Sequence, residues 1–329
     1  MTASGTQNSD PTVAAFRASV LAPVLSILLL VILHVVSIPT AWSQQLLRRE
    51  SFSVGIYPQA MAFDGANIWV TSGQSQYITK LRASDGTLLG TFPVGTITVG
   101  ATFDGTYVWL ANWGYGANSL TRVRLDGSVE GVYPIGPHGP YSLMFDGTNI
   151  WVSTLESHVI KMRASDGVVL GDYSTTTGSS PCLHLAFDGA NVWVTNNYYN
   201  TVSKLRATDG ELLGTFSVGH YPIGVTFDGS SIWVTSSGDD YITKLRASDG
   251  VFLGRARMGA APSDVTFDGR HIWVANVDDG TATALGDYRG VIHRTFRVGD
   301  APQNILFDGT NIWVANFYSA TVTKISPSQ

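Results

Sequence analysis

A seven-residue signature, Phe-Asp-Gly-x-x-x-Trp, begins at Phe63, Phe103, Phe145, Phe187, Phe227, Phe267 and Phe307, at spacings of 40, 42, 42, 40, 40 and 40 residues. A unit of that length is a supersecondary element that buries its apolar faces only against neighbouring copies. In the first copy, Gln59 to Phe63 reads as a short apolar strand, Asp64-Gly65 as a hairpin turn and Ile68 to Thr71 as a second strand rich in β-formers. Tyr77 to Arg82 follows as a third strand with period-2 alternation, Ser84-Asp85-Gly86 as another tight turn, and Leu88 to Val94 as a fourth strand. Four antiparallel strands make one blade, and seven copies make an all-β, seven-bladed β-propeller. Only 14% of the residues are charged, and 35 glycines and nine tryptophans suit short strands and tight turns rather than exposed helices.

The last copy ends at its third strand, Thr321 to Ile325, with four residues left. Ser51-Phe52-Ser53-Val54-Gly55 aligns with Thr91-Phe92-Pro93-Val94-Gly95, so the amino-terminal side is expected to supply the outer strand of the last blade and close the ring, removing two open sheet edges. The propeller is expected over 44–329. Ahead of it, Val20 to Ile38 is an uncharged run of 19 residues, about 28 Å long as a helix, followed by Ala41-Trp42-Ser43-Gln44, which matches a signal-peptidase site. Segment 1–43 therefore reads as a signal peptide cleaved after Ser43, or as an uncleaved membrane anchor. Either reading exports the propeller to the periplasm or beyond, with the membrane touched only through this segment. Cys182 is the sole cysteine, so stability rests on packing without an internal disulfide.

The seven signature tryptophans, Trp69 through Trp313, read as wedges between blades. The pairs Lys80/Arg82, Lys161/Arg163, Lys204/Arg206 and Lys244/Arg246 recur on third strands and read as solvated faces. A net charge of −5 with basic residues spread around the ring argues against a nucleic-acid groove. Repetition leaves one rim nearly constant, with its Asp-Gly turns, and one rim variable. The variable rim carries Trp113 and Tyr115, Glu156 and His158, Tyr198 and Tyr199, His220, and Asp239 and Asp240 as candidate ligand-binding residues. Its aromatic rings offer amphipathic contact area for a sugar, a peptide or a drug-like ring. Three residues before each signature Phe stand Ala60, Gly100, Ser142, His184, Gly224, Asp264 and Asn304, expected to line a central channel. His184, Asp264 and Asn304 there, with His138 at the start of the third blade, are the candidate ligands for a divalent metal.

The recurring Phe-Asp-Gly-x-Asn-Ile-Trp-Val, the Thr-Lys-Leu-Arg-Ala-Ser-Asp-Gly run and the Phe-x-Val-Gly close resemble the bacterial YVTN-type and virginiamycin B lyase-like propeller repeat proteins, over about Ser51 to Ile325. The resemblance implies the fold. Such families include a lyase that linearises a cyclic antibiotic through a His base and a magnesium ion, beside many propellers without known activity; no catalytic residue is carried over. Gly-x-Ser-x-Gly, Cys-x-x-Cys and His-Glu-x-x-His motifs are absent. The expectation is a monomeric binding or scaffold propeller recognising a protein, peptide or glycan at the cell surface. The alternatives are a metal-assisted lyase or hydrolase using two of His138, His158, His184 and His220 with Glu156 as acid or base, and a cofactor-bearing oxidoreductase.

Overall fold

The computed structural model describes Met1 and residues 48–114, 118–286 and 291–326. The expected leader 1–43, its apolar run and Tyr115 lie outside the described residues. Seven four-stranded antiparallel sheets make up the described chain. Blade 1 runs from the axis outward as Pro58–Phe63, Asn67–Ser72, Tyr77–Arg82 and Leu88–Pro93, and the later blades repeat that order.

The expected closure is present. Arg48–Ser53 pairs antiparallel with Thr321–Ser326, setting Phe52 opposite Val322, and becomes the outer strand of blade 7. The side chains dictate that partner: the Phe52 ring lies 5.9 Å from Trp313, as Phe92 lies 5.8 Å from Trp69 in blade 1. Phe52 also covers Gly86, whose φ of 74° closes a turn of blade 1 and where any Cβ would overlap the ring. Phe92, Tyr133, Tyr173 and Phe216 cover Gly127, Gly167, Gly210 and Gly250 in the same way, each on the blade after its own.

The core is divided into seven apolar clusters, one at each blade junction. Trp313 packs with Ile68, Val70 and Leu81 of blade 1, and Trp109 with Ile150 and Val152 of blade 3. The tryptophans are wedges, as expected. Each indole N–H donates to the Asp of its own signature at 2.7–2.8 Å. In blade 1 the other oxygen of that carboxylate accepts the amides of Ala66 and Asn67, fixing the turn. Burial opposes the charge on Asp64, Asp146, Asp188, Asp228 and Asp268, but these hydrogen bonds outweigh it and hold the five carboxyls below their ordinary range.

The third-strand lysines differ from the solvated faces expected of them. Lys161, Lys204 and Lys324 are only 7%, 6% and 4% exposed. Lys161 Nζ donates to Ala207 O and Thr208 O, Lys204 Nζ to Ala247 O and Ser248 O, and Lys324 Nζ to Ala83 O and Ser84 O, in each case on the next blade. Arg122 takes the same role towards Ala164 O at 3.1 Å. The cause is register: the position pairs with the wedge Trp, so the cation lies over the indole while the neighbouring blade covers its head. The companion arginines are exposed and pair with the Asp three residues on, at 2.8–3.0 Å. In blade 6 the Lys position holds the buried Ala284, and nothing in the structure explains that exchange.

Candidate functional site

The variable rim carries the exposed aromatics. Trp113, at the end of the second strand of blade 2, is 40% exposed, and Tyr198 of blade 4 is 64% exposed. Tyr198 and Tyr199 sit in the 3-10 turn Asn197–Tyr199, where Ser180 Oγ accepts the Tyr198 amide at 2.9 Å. Trp113 and these tyrosines belong to different blades, and no ring contact joins them among the described residues. A second aromatic group escaped the sequence reading. The Tyr57 ring packs at a tilt 4.7 Å from Phe317 and lies 6.3 Å from Tyr318, which is 71% exposed. Tyr57 and Phe317 are 260 residues apart in sequence and meet only because the ring closes between blades 7 and 1, so no local pattern could have paired them.

Several rim carboxylates hold turns. Asp239 accepts the His220 amide at 3.0 and 3.1 Å, and its Oδ1 lies 3.1 Å from His220 Nδ1. Asp240 adopts φ 60° and accepts the Ala261 amide at 3.0 Å, tying the loop of blade 5 to the start of blade 6. Glu156 accepts the Gly139 amide at 3.1 Å.

The innermost strands enclose an axial channel of about 590 Å³, lined in part by His184, Asp264 and Asn304. The structure brings these three together. Asp264 Oδ1 lies 3.1 Å from His184 Nδ1, while Oδ2 accepts Asn304 Nδ2 at 2.6 Å and the Ile305 amide at 3.1 Å. Asn304 Oδ1 accepts the Met61 amide at 3.0 Å. Tyr141 stands edge-on to His184, and burial, with the Asp264 charge nearby, raises its hydroxyl pKa.

His138 is not part of that channel group. It lies in the connection leading into blade 3 and stacks on His158, the first residue of the third strand, with ring centroids 4.0 Å apart and planes 18° from parallel. Both face Asp172 on the outer strand: His138 Nε2 is 3.2 Å from Oδ2, and His158 Nδ1 is 2.6 Å from Oδ1. Glu156 Oε2 stands 3.8 Å from His138 Nδ1. Asp172 went unremarked in the sequence, because its position varies from blade to blade. The matching residues are Thr91, Val132, Thr215, Arg255, Thr295 and Ser51, and Thr215, Thr295 and Ser51 each share a hydrogen bond of 3.2 Å with the third strand. Cys182 is sealed, its thiol pushed up to about 12 by burial.

No family model and no curated protein matches the chain. Among solved structures, a streptogramin B lyase superposes with a TM-score of 0.73 at 19% identity, covering 85% of this chain and 97% of that one. A catalytically inactive histidine-to-alanine form of virginiamycin B lyase from Staphylococcus aureus, with quinupristin, gives 0.73 at 18% identity over 85% and 99%. Hydrazine synthase from Kuenenia stuttgartiensis gives 0.71 at 14% identity over 82% and 95%. At these identities the likeness is one of fold: this chain has the virginiamycin B lyase-like propeller architecture.

Proposed function

We propose that the protein is an exported binding propeller that recognises a protein, peptide or glycan through its variable rim. The observation that carries this reading is the exposure, on that rim, of rings that the repeat does not require: Trp113, Tyr198 and Tyr199, and Tyr318 beside the half-buried Tyr57 and Phe317. Rings used for packing in this fold sit between blades. These face solvent and supply rigid, amphipathic contact area. The test is a screen of immobilised glycans and peptides, repeated with the combined variant Trp113→Ala, Tyr198→Ala, Tyr199→Ala. A ligand retained by the native protein and lost by a variant of unchanged melting temperature supports the reading. Equal retention by both places recognition elsewhere.

A second reading, a lyase or hydrolase, is favoured by the His184–Asp264 pair at the channel of a fold shared with streptogramin lyases. Magnesium, which the family resemblance implies, does not fit this pair. That ion seeks about six oxygen ligands at about 2.1 Å, whereas Asp264 Oδ2 and Asn304 Oδ1 are already held by backbone amides. Chromatography of quinupristin after incubation with the protein separates the readings: its disappearance, abolished by His184→Ala, favours the enzyme, and its persistence removes that activity.

A further inference from the structure

Blade 3 departs from its sister blades at three positions that converge on one corner. The first is the connection before it, in which Gly136 stands nine residues ahead of the signature Phe145. Gly55, Gly95, Gly219, Gly259 and Gly299 stand eight ahead of theirs, and only Gly178 of blade 4 shares the longer spacing. The longer connection carries His138. The second is the start of the third strand, where His158 replaces the Tyr77, Thr201, Tyr241, Thr281 and Thr321 of other blades. The third is Asp172, where outer strands elsewhere carry Thr91, Val132, Thr215, Arg255, Thr295 and Ser51. Nothing in the propeller's packing requires His158 or Asp172, since the sister blades fold with Tyr, Thr or Ser at the first position and Thr, Ser, Val or Arg at the second.

We propose that His138, His158 and Asp172 form a binding site for a zinc-type divalent transition ion on the variable rim of blade 3. The three donor atoms all lie within 4.8 Å of one another. Ligands sharing a tetrahedral ion at about 2.0–2.1 Å stand about 3.3 Å apart, and the two nitrogen-to-carboxylate separations here are 3.2 and 2.6 Å. The rings lie stacked 18° from parallel, so one imidazole must turn for both in-plane lone pairs to meet on one ion beside the carboxylate. Two imidazole nitrogens and one carboxylate suit zinc, cobalt or nickel over magnesium or calcium, which favour all-oxygen sets. His138 is also oriented from behind: with its proton on Nδ1, facing the Glu156 carboxylate, Nε2 presents its lone pair to the ion. Glu156 in turn is fixed by the Gly139 amide of the same connection. The His158 side chain is 30% exposed and that of Asp172 40%, which leaves a coordination position open to water or to a ligand's donor atom. The site belongs to the surface proposed for recognition and not to the channel, but its existence does not depend on that recognition.

The test is calorimetric titration of the tag-free full-length protein with zinc, and separately with magnesium, alongside cobalt absorption spectroscopy. The variants are Asp172→Thr and His158→Thr, which install residues that sister blades tolerate, and Glu156→Gln. The native protein is expected to take one equivalent of zinc, to gain a visible cobalt spectrum and to ignore magnesium. Asp172→Thr and His158→Thr lose saturable binding while their metal-free melting temperatures stay unchanged, and Glu156→Gln weakens it about tenfold. Absence of saturable zinc binding by the native protein would overturn the site. So would binding that survives both Thr variants, or that only His184→Ala abolishes.

Discussion

The Asp188 carboxylate accepts the indole N–H of Trp193, the amides of Ala190 and Asn191, and the Asn191 side chain. A residue that reads as a turn former is therefore also the polar partner of the largest side chain at its blade junction. Asp188→Ala leaves the buried indole N–H and the turn amides without an acceptor, and the expected loss is about 2–3 kcal/mol, read as a lower urea midpoint. The same bonds set the acid limit of the fold. The folded carboxyls of Asp64, Asp146, Asp188, Asp228 and Asp268 titrate below their unfolded values. Their contribution is thus complete above about pH 4 and is lost as pH falls through the folded values. The melting temperature should hold from neutrality to about pH 4 and then fall steeply, less steeply in Asp188→Ala. An acid slope identical in the variant would mean that other groups set it.

The blades meet chiefly through their first and second strands, and farther out a third-strand cation on one blade caps the turn carbonyls of the next. Lys204 is inaccessible, covers Trp193 and donates to Ala247 O at 2.7 Å and Ser248 O at 3.0 Å. Two residues on, Arg206 pairs with Asp209 in solvent. Lys204→Met keeps the stem over the indole but strands two carbonyls, so it should cost about 2–3 kcal/mol. Arg206→Ala should change stability by no more than about 1 kcal/mol. Paired denaturant titrations distinguish the two, and equal effects would refute the stapling role of the lysine. Period-2 alternation places Lys204 and Arg206 on one face of one strand and so makes them look alike. Their difference comes from the adjacent blade, which lies over the first and stops short of the second, and alternation within a strand carries no record of what covers it.

At the scale of the ring, what was legible followed from repetition. Seven signatures fixed the blade count, and the leftover match of Ser51–Gly55 to Thr91–Gly95 fixed how the circle closes. The candidate sites were legible only where they broke the repeat in an obvious residue type. His184, Asp264 and Asn304 were grouped correctly because they occupy one position of the unit, whereas Asp172 was hidden because a lone carboxylate on an outer strand resembles any solvated residue. Closure also makes the strongest claim on the whole molecule. Phe52 covers both Trp313 of blade 7 and Gly86 of blade 1, and the Val54 amide donates to Ala320 O, so the first strand seals one junction from both sides. A chain beginning at Ile56 would expose the edge of Thr321–Ser326, an open template for strand addition. Compared with a chain beginning at Leu46, it should melt at lower temperature and associate as concentration rises. A synthetic peptide spanning residues 46–55 should restore both properties by reoccupying that edge. A truncated protein that stays monomeric with an unaltered melting temperature would show that blade 7 holds with three strands and that the ring does not depend on its clasp.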